Sequence, residues 1–193
     1  MSLIEITQTS HPVILELLYA TDKNFTGKVI YKNARCFLHE KAMPLFEKAI
    51  LLADRQGYQL KIFDTFRPKQ AAQALWDFCP NPMYVADPQK GSNHTRGVAI
   101  DLTLVDKASG QELNMKNYEL DMGTPFDDFT DDSHHSAVLP PEIARNRYML
   151  LGIMMSAGWD FYNNEWWHYQ LFSPRDYPLI EEDYGIMGLC NAA

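Results

Sequence analysis

Cysteine is scarce in this 193-residue chain: Cys36, Cys79 and Cys190 are odd in number, far apart, and include no Cys-x-x-Cys pair. A disulfide framework is therefore not expected, and a reducing compartment fits better. Positive charge is also short, with 17 Lys and Arg against 25 Asp and Glu and a net charge of −8, so no basic field exists to draw in nucleic acid or an anionic membrane surface. Nowhere do eighteen apolar residues run together, and the start, Met1-Ser2-Leu3-Ile4-Glu5-Ile6, lacks a basic segment followed by a long apolar one. A cytoplasmic protein is expected, and a periplasmic one stays open if a leader has been removed. Repeats, low-complexity tracts and Gly/Ser linkers are missing too, so residues 1–193 are expected to form one domain.

What is present is regular patterning. Apolar Ala42, Leu45, Phe46, Ala49, Ile50 and Ala53 recur at helical spacing, predicting an amphipathic helix from His39 to Gln56 with Gly57 just past its end. Tyr58 to Phe63 reads as a strand, leading through Asp64-Thr65-Phe66-Arg67-Pro68 into a helix from Pro68 to Phe78. Arg67 thus falls at a strand-to-helix junction. From Gly97 to Leu104, Val98, Ile100, Leu102 and Leu104 share one face while Ala99, Asp101 and Thr103 share the other. The first face belongs in a core; the second is small and carries a carboxylate, as a cavity wall does. A turn is expected around Asp106 to Gly110, and an acidic loop holds Asp121, Asp127, Asp128, Asp131 and Asp132. Pro140-Pro141-Glu142 opens a helix that Gly158 closes, and Trp159–Tyr162 with Glu165–Phe172 read as an aromatic hairpin.

Two clusters carry chemistry, Ser92-Asn93-His94-Thr95-Arg96-Gly97-Val98-Ala99-Ile100-Asp101 and Glu165-Trp166-Trp167-His168-Tyr169. They supply two imidazoles and two carboxylates, and two neutral imidazoles with one carboxylate are a common ligand set for catalytic zinc, a further carboxylate serving as base. Each residue alone has a plainer reading. His94 could be an exposed loop histidine, Asp101 a solvent-facing strand residue, and His168 a packed neighbour of Trp167 and Tyr169. Glu165 and His168 would point to opposite faces of a regular strand, so sharing one metal demands a bulge or a strand that starts at Glu165.

Ser-x-His-x-x-Gly-x-Ala-x-Asp over Ser92–Asp101, followed about seventy residues later by Glu-x-Trp-His over Glu165–His168, resembles the paired signature of the zinc D-alanyl-D-alanine peptidases. The chain is most similar to their D-Ala-D-Ala dipeptidase branch. The similarity includes Leu18-Tyr19-Ala20-Thr21, Asn24-Phe25-Thr26-Gly27, Arg67-Pro68, Met122-Gly123, Phe126-Asp127, Ser133-His134-His135 and Arg145-Asn146-Arg147, and spans about residues 15 to 172. The resemblance implies an α+β fold, an antiparallel β-sheet core flanked by helices, of the zinc D-Ala-D-Ala peptidase (LAS/Hedgehog-like) kind. It implies that His94, Asp101 and His168 hold one Zn²⁺, that Glu165 is the catalytic base, and that Arg67 stabilises the developing oxyanion, a donor whose loss costs about 3 to 4 kcal/mol of barrier. Asp127 and Tyr19 match positions near the substrate ammonium, and Ser92 the position near its carboxylate. The implied partner is a small D,D-dipeptide.

The plainer readings of Ser92, Asp127 and Tyr19 are a turn residue, a loop charge and a core tyrosine. His134 and His135 beside Asp131-Asp132 are read as structural rather than as a second metal site, Trp166 and Trp167 as core and pocket wall, and the cysteines as buried bystanders. The rival functions are a carboxypeptidase or wall endopeptidase of the same superfamily, and a non-catalytic metal-stabilised binding domain. The presence of both Glu165 and Arg67 speaks against the last.

Overall fold

A computed structural model describes residues 2–108 and 119–188. Cys190 and the far side of the turn expected around Asp106–Gly110 lie outside those residues. The strands are β1 (Leu3–Ile6), β2 (Ile14–Leu15), β3 (Cys36–His39), β4 (Tyr58–Asp64), β5 (Ala99–Asp106), β6 (Asp160–Phe161) and β7 (His168–Gln170). The helices are α1 (Met43–Arg55), α2 (Lys69–Phe78) and α3 (Pro141–Ala157). One sheet has five strands in the order β2-β4-β5-β7-β6, and a separate ribbon pairs β1 with β3. The mixed α+β class is as expected from the sequence. The large sheet departs from it at one edge, where β2 runs parallel to β4; the other pairs are antiparallel.

Helix α1 starts later than the periodicity suggests, because His39 closes β3 and Pro44 sits in the first helical turn, where its missing N–H costs nothing. Gly57 follows at φ 82°, a conformation open to glycine. Helix α3 is closed in the same way by Gly158 at φ 109°. The aliphatic face of β5 is fully buried at Ile100, Leu102 and Leu104, and with Val98 just before the strand packs in one core with Leu60 and Ile62 of β4, Phe46 and Ala49 of α1, and Leu150 and Met154 of α3. A second core gathers Tyr19, Tyr31, Phe37, Phe66, Leu75 and Ile186.

Register decides what faces the other way. On β4, Ile62 pairs with Leu102, but the next pair is Asp64 with Asp101, so Phe63 is the extra residue of a β-bulge. In an unbroken strand Asp64 would share the core face of Leu60 and Ile62. The bulge turns it to the face of Asp101. On the other side of β5, Asp101 pairs with His168. Asp64, Asp101 and His168 therefore stand in a row across three adjacent strands, as cross-strand neighbours do.

Candidate metal centre and active site

The chain just before β5 brings the fourth member to this row. Gly97 has φ 70° and its N–H donates to the His94 carbonyl at 2.9 Å, closing a tight turn that folds His94 back over the strand. His94 Nε2 then lies 3.2 Å from Asp101 Oδ2 and 3.2 Å from His168 Nδ1, and His168 Nδ1 lies 3.0 Å from Asp101 Oδ1. All three residues are buried. Among the described residues, His94, Asp101 and His168 are the group of histidine, cysteine and acidic side chains placed to share a metal ion.

The outer nitrogens of the two rings show why the inner ones matter. His94 Nδ1 lies 2.6 Å from the Thr65 carbonyl, and His168 Nε2 lies 3.1 Å from Gln170 Oε1. Both partners are acceptors, so each outer nitrogen carries the proton and donates. Gln170 is held in that orientation because its Oε1 also accepts from Asn93 Nδ2. With both protons committed outward, the two inner nitrogens present lone pairs to each other and to a carboxylate. Three electron-rich atoms within hydrogen-bonding distance and no proton between them fit a bound cation, and rings anchored from behind are the usual support for one.

Charge gives the same picture. Burial works against ionisation of Asp101, yet the two imidazoles hold its carboxyl well below the usual range. Burial also disfavours a charged His168, but the adjacent Asp101 carboxylate outweighs that and raises its pKa. Asp64, Asp101 and Glu165 are buried here with a single guanidinium, Arg67, among them. The deficit is one that a dication fills.

Glu165 does not sit in a strand. Its N–H donates to the Tyr162 carbonyl and its own carbonyl accepts from the His168 N–H, both at 3.3 Å, so Glu165–His168 is a turn. The sequence pattern had it begin or bulge a strand; a turn instead brings first and fourth residues together, and Glu165 Oε2 lies 3.8 Å from His168 Nδ1. Burial, reinforced by Asp101, pushes its carboxyl up to about 7, against the pull of His168 and Arg67.

Arg67 follows the strand end at Asp64, whose Oδ2 accepts from its Nε at 2.9 Å and lies 2.8 Å from its Nη2 in an ion pair. Its guanidinium carbon lies 4.9 Å from the centre of the Tyr19 ring. The Tyr19 hydroxyl donates to Asp127 Oδ2 at 2.9 Å. Asp127 adopts φ 61°, left-handed backbone that a non-glycine residue holds at a cost, and burial raises its carboxyl pKa well above the usual range despite nearby Arg67. A carboxyl in that state gains from a cationic partner.

All eight residues singled out in the sequence, Tyr19, Arg67, Ser92, His94, Asp101, Asp127, Glu165 and His168, line one cavity of about 730 Å³. Ser92 also shapes the loop that carries His94, since its Oγ accepts the Thr95 N–H at 3.0 Å and contacts Thr95 Oγ1 at 3.0 Å. Trp167 lines the cavity and Trp166 packs beside it in the core. His134 and His135 are not part of the metal-ligand group. Cys36 is buried with its thiol pushed up to about 12, an inert state. Asp64, Tyr31, the Thr65 carbonyl and Gln170 were not singled out by the sequence. Only an Asp three residues before Arg67 could have hinted at the first.

Two buried imidazoles, a carboxylate between them, a second carboxyl near neutrality and a fixed guanidinium are the parts from which metal-dependent hydrolases are built. The Peptidase_M15 family model, described as D-ala-D-ala dipeptidase, matches residues 1–181, and the chain belongs to that family. It is 44% identical over 172 residues to the D-alanyl-D-alanine dipeptidase of Escherichia coli (strain K12), covering 88% of this chain and 84% of that one. It is 35% identical over 193 residues to the D-alanyl-D-alanine dipeptidase of Enterococcus faecium, covering 87% and 89%. Among solved structures it is similar, with a TM-score of 0.46 and 13% identity over 75% of this chain and 77% of the other, to a mutant of the vancomycin resistance D,D-pentapeptidase VanY in complex with Zn(II). The family match bears out the resemblance carried by Ser92–Asp101 and Glu165–His168.

Proposed function

We propose that this chain is a zinc-dependent dipeptidase that hydrolyses D-Ala-D-Ala to two molecules of D-alanine. The observation that carries it is the convergence of His94 Nε2, His168 Nδ1 and the Asp101 carboxylate, with both ring protons tied outward by Thr65 and Gln170. His94, Asp101 and His168 would hold the Zn²⁺. When bound, Zn²⁺ supplies Lewis acidity, which makes water a stronger acid and a peptide carbonyl a better electrophile. Glu165 takes the proton from the attacking water and passes it to the leaving amine, a role suited to a carboxyl already raised by burial. Arg67, clamped on Asp64, keeps its remaining N–H donors for the oxygen on which charge develops.

Recognition of a free dipeptide requires a counter-charge for its ammonium and a donor for its carboxylate. Asp127, with Tyr19 bonded to it, supports the first role, and Ser92, on another stretch of the cavity wall, supports the second. The names of the relatives support D-Ala-D-Ala as the substrate. Among the described residues no helix is long and apolar enough to cross a membrane. The scarcity of cysteine supports a cytoplasmic location.

The test is hydrolysis of D-Ala-D-Ala by the zinc-loaded protein, with and without a chelator, beside an acylated pentapeptide ending in D-Ala-D-Ala. Chelator-sensitive cleavage of the dipeptide alone is expected. Preference for the acylated peptide would make the chain a carboxypeptidase instead. Glu165→Gln should keep its zinc and lose about 10²- to 10⁴-fold in kcat, whereas a fully active variant removes Glu165 from the chemistry.

A further inference from the structure

Asp64, which clamps Arg67, has a buried partner of its own, Tyr31. Asp64 is 1% exposed and Tyr31 is 1% exposed. The Tyr31 hydroxyl donates to Asp64 Oδ1 at 2.7 Å, while Asp64 Oδ2 accepts from Arg67 Nε and forms an ion pair with its Nη2. Arg67 Nη1 makes neither of these bonds. Tyr31 is itself fixed: its N–H donates to the Tyr19 carbonyl at 2.8 Å, and its ring meets that of Tyr19 edge-on at 5.7 Å. The adjoining residues Lys32 and Asn33 both donate their N–H groups to the carbonyl of Ile186. Neither Asp64 nor Tyr31 lines the cavity.

Arg67 stands between two carboxylates. Its Nη2 is 2.8 Å from Asp64 Oδ2 and 3.6 Å from Asp101 Oδ2. An arginine side chain has several rotatable bonds, so which carboxylate holds it depends on how well each is placed. A carboxylate bonded on one oxygen only can turn about its last torsion, which is broad. The bond from Tyr31 to Oδ1 removes that freedom and leaves Oδ2 facing the guanidinium.

Building on the function proposed above, we propose that Tyr31 is a positioning residue for Arg67: acting through Asp64, its hydroxyl keeps the guanidinium off Asp101 and aimed at the substrate carbonyl. Two consequences follow. Losing the hydroxyl lets Arg67 drift towards Asp101, which weakens oxyanion stabilisation. The loss appears in kcat rather than in KM, because the oxyanion exists only in the transition state.

The experiment compares zinc-loaded wild-type protein with Tyr31→Phe, Arg67→Ala and the double variant, measuring kcat and KM for D-Ala-D-Ala together with bound zinc. Tyr31→Phe should lower kcat by about tenfold, with KM within about twofold and zinc content unchanged. In the Arg67→Ala background, adding Tyr31→Phe should change kcat by less than about twofold, because the group it positions is gone. Asp64→Asn, alone and combined with Arg67→Ala, makes the same comparison without disturbing the aromatic packing. Unchanged kcat in Tyr31→Phe, or a loss that persists at full size without Arg67, overturns the positioning role while leaving the dipeptidase assignment intact. Wild-type protein that leaves D-Ala-D-Ala uncut overturns both.

Discussion

Gln170 takes the Nε2–H of His168 on its side-chain oxygen, and that bond decides which nitrogen of the ring faces Asp101. It is two residues from His168 on the same short strand, so the pair shares one face by the period of a β-strand. Replacement by leucine keeps the bulk and removes the acceptor. The ring is then free to take the other tautomer, with a proton on the nitrogen proposed to hold the metal. Gln170→Leu is therefore expected to weaken zinc binding by about 10- to 100-fold, measured by competition against a chelating dye at neutral pH; equal affinities would assign the orientation of His168 to packing alone. At this scale the sequence was informative about residue types and silent about their support. His94, Asp101, Glu165 and His168 stood out because their spacing matched a known signature. Thr65 and Gln170 did not, because a backbone carbonyl and a polar strand residue have no distinctive pattern.

Elements place these residues through two local departures from regularity, the bulge at Phe63 and the turn at Gly97. Gly97 is the more exposed to substitution, because its φ of 70° excludes most side chains and a Cβ there would meet Leu3 Cδ2 at 2.5 Å. Gly27, at φ 65° with nothing within 4 Å, shares the backbone strain without the clash. Gly97→Ala should accordingly cost about 1 to 3 kcal/mol and exceed Gly27→Ala in urea titrations. Equal losses for the two variants would show that Leu3 simply moves aside. Because Gly97 lies between His94 and Asp101, its substitution should also weaken zinc binding, an effect Gly27→Ala lacks. Helices α1 and α3 and strands β4 and β5 were legible from periodicity to within a few residues. The bulge was not, since alternation alone assigns Asp64 to the core face; neither was the Glu165–His168 turn, which aromatic content disguised as strand.

For the whole molecule, His135 of the acidic loop bears on acid stability rather than on the metal. His135 is held down to about 4, first by burial and then by the nearby Arg147 guanidinium, against about 6.5 when unfolded. Between those values the unfolded chain binds a proton that the folded one refuses, so stability falls as pH drops from about 6.5 to about 4 and is unaffected above. The contribution is at most about 3 kcal/mol, reduced because the ring is not fully buried. Urea midpoints of metal-free wild-type and His135→Phe protein, measured from pH 7 to 4, should diverge in that window with the variant falling less; parallel curves would exclude His135. By itself the sequence determined the residue inventory, the mixed fold class, the acidic charge and the family. The inventory and the charge follow from composition, while the fold class and the family rest on the resemblance carried by the motifs over Ser92–Asp101 and Glu165–His168. Tertiary structure alone decided that Asp64, Asp101 and His168 line up across three strands, and that Thr65, Gln170 and Tyr31 hold His94, His168 and Asp64 from behind. The line-up depends on strand register, where a shift of one residue would turn its side chains to the opposite face, and the contacts of Thr65 and Tyr31 join pairs far apart in the chain.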